Sequence, residues 1–173
     1  MTIRDAIEAH LPAIVAIYNA AIPGRMATAD THPVTFESRS YWFYQHTPNA
    51  RPLWVAVQNE IIAGWLSFQS FYGRPAYHAT AELSVYIAPN WQRKGIGHAL
   101  LSQAVDQAPR LGLKTLLGFI FGHNEASLRL FDKFDFHCWG VLPGVAELDG
   151  VECDLIIMGR PAMPKLGTAV DGE

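Results

Sequence analysis

The stretch of this chain best suited to chemistry starts at Glu82 and ends in a run of small and basic residues. Glu82-Leu-Ser-Val-Tyr-Ile87 alternates as a strand does, and Pro89 and Asn90 stop it. Gln92-Arg93-Lys94-Gly95-Ile96-Gly97-His98 then opens an apolar-periodic segment. A strand that passes through a basic, glycine-containing turn into a helix is an anion site. Gly95 and Gly97 let the backbone approach a ligand and take positive φ, while the free N–H groups and positive dipole end of the helix face a pyrophosphate. Arg93 and Lys94 add charge beside it. A dinucleotide fingerprint would need a third glycine three residues past Gly97, where Leu100 stands. A nucleotide P-loop would need Gly-Lys-Ser/Thr, where the chain has Gly-Ile-Gly-His.

The rest of the sequence supplies the elements that must hold this turn. Thr2 to Arg4 read as a strand, and Glu8 to Ala21 carries Leu11, Ile14, Ile17 and Tyr18 at helical spacing, with Pro12 in the first turn. Thr35, with Ser38 three residues on, opens a second helix holding Tyr41, Trp42 and Tyr44. Leu53 to Gln58 and Ile61 to Phe71 form a hairpin about Asn59 and Glu60, and Thr80 to Ile87 form the next strand. The spacing predicts a helix over Gly97 to Arg110, a strand over Lys114 to Phe121 and a short helix over Asn124 to Phe134. A closing pair of strands is predicted over Phe136 to Leu142 and Glu152 to Met158. This order predicts an α/β fold: a mixed, mostly antiparallel central sheet flanked by helices. Residues 1–160 are expected to form a single domain, and 161–173, with two prolines and two glycines after Arg160, a flexible C-terminal tail.

Composition narrows the partners. Thirteen basic against sixteen acidic residues give no field that would draw the chain to nucleic acid or an anionic membrane. Two cysteines are too few for a disulfide framework, which suits a cytoplasmic setting. The apolar run Leu11 to Ile17 is too short to span a bilayer, and Asp5, Glu8 and His10 before it do not make a cationic leader. His46, His98, His123 and His137 fall into no ligand spacing, so no metal is expected. A small molecule is the expected partner.

Gln92-Arg-Lys-Gly-Ile-Gly97 resembles the Gln/Arg-x-x-Gly-x-Gly/Ala signature of the GNAT superfamily of N-acetyltransferases. Ile3-Arg-Asp-Ala, Ala13-Ile-Val-Ala-Ile-Tyr-Asn19 and Asn124-Glu-Ala-Ser-Leu-Arg-Leu-Phe131 match the family's order over roughly residues 2 to 160. Thr80-Ala-Glu82-Leu-Ser-Val-Tyr-Ile87 and Gly122-His-Asn124-Glu-Ala-Ser127 are similar to segments of the phosphinothricin and methionine-sulfone amino-acid acetyltransferases.

The resemblance implies a GNAT fold, acetyl-CoA as co-substrate and a small primary amine as acceptor, an amino acid or analogue. It implies that Glu82 is the general base, with a strand glutamate paired to a cation as the plain alternative. It places backbone groups of Val85, Tyr86 and Ile87 on the pantetheine arm, residues 92–98 on the pyrophosphate, and Asn124 and Ser127 against the coenzyme. A helix cap explains Asn124 as well. The tyrosine many relatives carry four residues after that serine is Phe131 here, which leaves the general acid unassigned. Arg74, Tyr77 and His78 are the candidate acceptor-reading residues, His78 standing where relatives often have arginine. Cys153 is at most a neighbour of the site. Homodimers are frequent among the proteins resembled. Acetylation of a peptide or protein amine, and a non-catalytic acyl-CoA-binding sensor, are the competing functions.

Overall fold

The computed structural model describes residues 1–163 of the chain. Eleven elements succeed one another: β1 (Thr2–Asp5), α1 (Leu11–Ala21), α2 (Phe36–Tyr44), β2 (Leu53–Gln58), β3 (Ile61–Ser70), β4 (Thr80–Ile87), α3 (Ile96–Gln107), β5 (Thr115–Phe121), α4 (Glu125–Asp132), β6 (His137–Leu148) and β7 (Val151–Pro161). The strands make one mixed, mostly antiparallel sheet, as expected, and its order is β1-β2-β3-β4-β5-β7-β6. Short connections give antiparallel neighbours, as at the β2–β3 hairpin, where Asn59 and Glu60 both take positive φ. The exception is β4 and β5. The α3 crossover makes them parallel.

That parallel pair is brief. It registers Thr80 with Thr115, Ala81 with Leu116 and Glu82 with Leu117, and then stops. Beyond Glu82 the second half of β4 keeps β3 on one side and has no strand on the other, while the second half of β5 stays paired with β7. The Phe131 ring of α4 lies against β5 at Gly118, where a Cβ would stand 2.5 Å from a ring carbon.

Alternation along the central strands divides the core. Leu66, Phe68, Ala81 and Leu83 are buried with Leu100, Leu101 and Ala104 of α3 on one face. On the other face Val55 and Trp65 pack with Ile14 and Ile17 of α1, with Trp42 and Phe43 of α2 beside them. Within β4 this sends Val85 and Ile87 towards the α3 side, and Tyr86 towards α1 and α2. By the same period of two, Glu82 and Ser84 share the face of Tyr86.

The boundaries differ most from the sequence expectation at α1 and in the closing hairpin. Glu8–His10 is a 3-10 turn, and α1 starts only at Leu11, so that Pro12 falls in its first turn. The closing hairpin is longer than expected. Pro143 and Gly144 mark a register shift between Leu142 and Ala146 and do not end β6. Pro161 belongs to β7, and Ala162 is buried, its N–H bonded to the Lys114 carbonyl. Of the expected tail, 164–173 lie outside the described residues.

Overpacking at Gly118 is testable. Gly118→Ala should lower the denaturant midpoint by about 1–3 kcal/mol equivalent, and Phe131→Leu in the same chain should recover part of it. Additive losses in the double variant would show that the two sites do not share this contact.

Candidate active site

Where β4 and β5 part, a cleft of about 520 Å³ opens. Its walls are Glu82 through Ile87 on one side and Phe119, Ile120 and Phe121 on the other. Ser127, Leu130 and Phe131 of α4 and residues 26–30 of the α1–α2 loop complete it. The free edge of β4 presents main-chain groups to this space. An extended chain carrying amides can pair with them as a strand would.

The turn after β4 forms the expected nest, with one correction. Gly95 has φ +81 and caps α3 without a side-chain bond. A Cβ on it would meet nothing within 4 Å, so open space lies before it. The first bond closing α3 joins the Ala99 N–H to the Gly95 carbonyl, which leaves the first-turn amides without an intrahelical acceptor. Gly97, however, is helical. It does not take the expected positive φ, and a Cβ there would stand 3.2 Å from Leu130, so its smallness serves the packing of α3 on α4. The second positive φ belongs to Arg93, at +58, a shape the residue type does not announce. Lys94 holds its ammonium 4.9 Å above the Trp91 ring, and Arg93, Lys94 and His98 are exposed.

Glu82 stands at the last paired position, where the cleft begins. It is half-buried, and burial raises its carboxyl above the usual glutamate range. No ion pair to it occurs among the described residues, so the alternative of a cation-paired strand glutamate finds no support. The other carboxyl in the cleft wall, Asp30, is occupied: it accepts from the Tyr18 hydroxyl at 2.5 Å and from Arg39 at 3.0 Å.

Unpaired amides at a helix mouth, a strand edge free to pair and a carboxyl without a cation between them are features suited to an acyl carrier with a phosphate-bearing arm. The sequence profile of the Acetyltransferase (GNAT) family matches residues 15–136. The chain belongs to this family.

Among its relatives is YwnH of Bacillus subtilis (strain 168), whose name suggests a phosphinothricin acetyltransferase. It is 53% identical over 161 residues, which cover 92% of this chain and 98% of that protein. The L-methionine sulfoximine/L-methionine sulfone acetyltransferase of Salmonella typhimurium is 33% identical, over 91% of this chain and 92% of its own length. The crystal structure of a GNAT superfamily phosphinothricin acetyltransferase from Sinorhizobium meliloti, in complex with AcCoA, superposes with a TM-score of 0.88 at 29% identity. That match covers 98% of this chain and 96% of the other. This GNAT chain is therefore an acyltransferase with acetyl-CoA as co-substrate, and the free β4 edge and the nest at Gly95 fit that carrier.

Other residues lining or bordering the cleft have their positions decided by bonds that the sequence did not reveal. Asn124 is buried, and both ends of its amide are in use. Its Oδ1 accepts from the Ser127 N–H as the cap of α4, and its Nδ2 donates to the Met26 carbonyl at 2.9 Å. Ser127 is half-buried in the cleft wall. The α1–α2 loop is further held by the Tyr86 hydroxyl, which donates to the Ala27 carbonyl, by His123 Nε2 on the Arg25 carbonyl, and by a bidentate pair between Arg25 and Asp149. Tyr18, read from sequence only as a helix residue, reaches Thr28 and Asp30 and lines the cleft.

Phe131 is buried among cleft and core residues and offers no proton donor at the position where the resemblance led one to expect a tyrosine. Cys153 is buried beside Phe121 and Leu148, and its thiol donates to the Val151 carbonyl. Arg74, Tyr77 and His78 are not among the residues lining the cleft. They form an exposed turn in which Tyr77 packs on Phe71 and Tyr72, and His78 Nδ1 meets the Pro75 carbonyl at 2.8 Å.

A carboxyl whose pKa is raised by folding binds its proton more tightly in the folded chain than in the unfolded one. Ionisation of Glu82 therefore weakens the fold as pH climbs from the usual glutamate range, about 4.3, through the raised value. Glu82→Gln should unfold at higher denaturant than the parent at pH 7, with the difference closing below about pH 4. A gap unchanged by acid would show that the burial is not felt.

Proposed function

We propose that this GNAT enzyme acetylates the primary amine of a small acceptor, an amino acid or an analogue of the phosphinothricin or methionine-sulfone kind, with Glu82 as general base. The observation that carries the reading is the state of Glu82: a half-buried carboxyl at the point where β4 and β5 part, raised by burial and paired with no cation among the described residues. A base shifted upward towards neutrality is matched to taking a proton from an alkylammonium. The names of the relatives, which refer to phosphinothricin and to methionine sulfoximine or sulfone, support the acceptor class.

Acetyl-CoA, when bound, supplies a thioester carbonyl that a neutral amine can attack. Within this chain, the amides about Gly95 with Arg93 and Lys94 hold the diphosphate. The free edge of β4 over Val85, Tyr86 and Ile87 aligns the arm, and a main-chain N–H there polarises the thioester oxygen. Glu82 removes the amine proton, directly or through a water. The side chains of Glu82 and Ser84 face α1 and α2, so the amine comes from that side. No side chain is needed to protonate the departing thiolate, since a thiol has a reference pKa near ~8.5.

The test is release of free CoA from acetyl-CoA in the presence of amino acids, methionine sulfone, phosphinothricin and polyamines. An acceleration by amino-acid-like amines is expected. Tight CoA binding with no amine accelerating release would favour an acyl-CoA sensor. Glu82→Gln should lower kcat by about 10²- to 10⁴-fold while acetyl-CoA affinity stays within about two-fold. The lower-pH limb belonging to Glu82 should vanish while any limb belonging to the amine remains. Equal turnover at every pH would remove Glu82 from the mechanism.

A further inference from the structure

The cleft does not end at Glu82. A chamber of about 110 Å³ shares Tyr18, Ser84 and Tyr86 with it and is also lined by Gln69 and Trp42. Gln69 and Trp42 in turn wall a third cavity of about 550 Å³, with His46, Arg51 and Ser70 around it. Neighbouring spaces share wall residues, and the shared strand residues, Gln69 of β3 with Ser84 and Tyr86 of β4, lie on the face that meets α1 and α2. Gln69 is the residue opposite Glu82 in the β3–β4 register. The sequence of cavities therefore leads away from the base, on the side of the sheet from which the amine comes.

Its far end is polar in an unusual way. Trp42 Nε1, His46 Nε2 and Arg51 Nε are shut off from solvent and have no hydrogen-bond partner among the described residues. Groups so placed are costly to leave unpaired, and the two N–H donors among them, on Trp42 and Arg51, wall one cavity and call for an acceptor. Arg51 is the telling one. Its Nη1 donates to the Ala50 carbonyl at 2.8 Å, and its Nη2 donates to the carbonyls of His78 at 2.6 Å and Thr80 at 3.4 Å. Carbonyls position a guanidinium without neutralising it, and Arg51 forms no ion pair among the described residues. The Trp42 N–H is a second donor beside it. The His46 Nδ1 meets the Trp42 carbonyl at 2.9 Å, so that nitrogen carries the hydrogen and Nε2 of the neutral ring keeps a lone pair, suited to a water brought in with the ligand.

We propose that Arg51, with the indole N–H of Trp42, forms a subsite for a carboxylate of the acceptor, remote from the coenzyme, and that Arg51 determines acceptor specificity. The proposal rests on the reading of the Glu82 face as the acceptor side. Arg74 and His78, the cations nearer in sequence to Glu82, line neither this cavity nor the chamber before it.

The experiment compares L-methionine sulfone with its α-carboxamide, acetyl-CoA being saturating. The parent enzyme should prefer the carboxylate form. Arg51→Gln should raise KM for that form by about 10- to 100-fold, with kcat and the carboxamide KM little changed, and Arg51→Lys should fall between. Trp42→Phe keeps the ring and loses the donor, so it should raise the carboxylate KM by about 3- to 10-fold. It decides the matter if Arg51→Gln does not fold. Equal losses on both acceptors would make Arg51 a structural residue and overturn the subsite, as would a parent enzyme indifferent to the carboxylate. If the parent acetylates neither form nor any other amine, the proposed function itself fails, a result distinct from loss of discrimination alone.

Discussion

The structure turns on a pairing that stops. A parallel pair of strands in the middle of a sheet would ordinarily run its length, because each unpaired main-chain group in a buried place must find another partner. Here the ladder between β4 and β5 ends after Glu82. The parting is braced where Phe131 lies on Gly118 and where α3 and α4 meet at Gly97 and Leu130. The cost of an interrupted ladder is what makes the cleft adhesive: its wall is a strand edge in want of a neighbour, and a carrier with amides in its arm can complete it.

The period of two along β4 then separates tasks. Residues pointing to α3 are core, and their side chains secure the strand that offers its edge. Residues pointing to α1 and α2 are Glu82, Ser84 and Tyr86, so the carboxyl proposed as base, the loop anchor and the chamber lined by Tyr18, Trp42 and Gln69 share one side. Coenzyme and acceptor can approach the same point from different directions because a sheet has two faces and, at this place, also a gap.

Much of this was legible beforehand, and the parts that were not share a cause. The element order followed from hydrophobic period and turn residues, and Thr35 and Ser38 do form the reciprocal cap of α2. The nest at Gly95 was legible because only a small set of residues allows such a turn. Roles carried by distance along the chain were invisible. Nothing near Asn124 in sequence says that its amide reaches Met26, 98 residues away, and nothing near Arg51 says that it leans on the carbonyls of His78 and Thr80. The packing of Gly97 on Leu130 was hidden for a related reason: a glycine at a helix mouth looks the same in sequence whether or not a leucine lies against it. Arg93 shows the converse, a left-handed backbone on a residue that gives no hint of it.

Over residues 25–27 the loop between α1 and α2 offers its peptide groups as moorings. His123, Asn124 and Tyr86 grip the carbonyls of Arg25, Met26 and Ala27 in turn, and a carbonyl is present whatever side chain hangs from the residue. Met26, Ala27 and Ala29 can therefore be exchanged while the moorings hold. A lineage that needs a different acceptor can vary the lining of the pocket mouth there without rebuilding the frame that carries it.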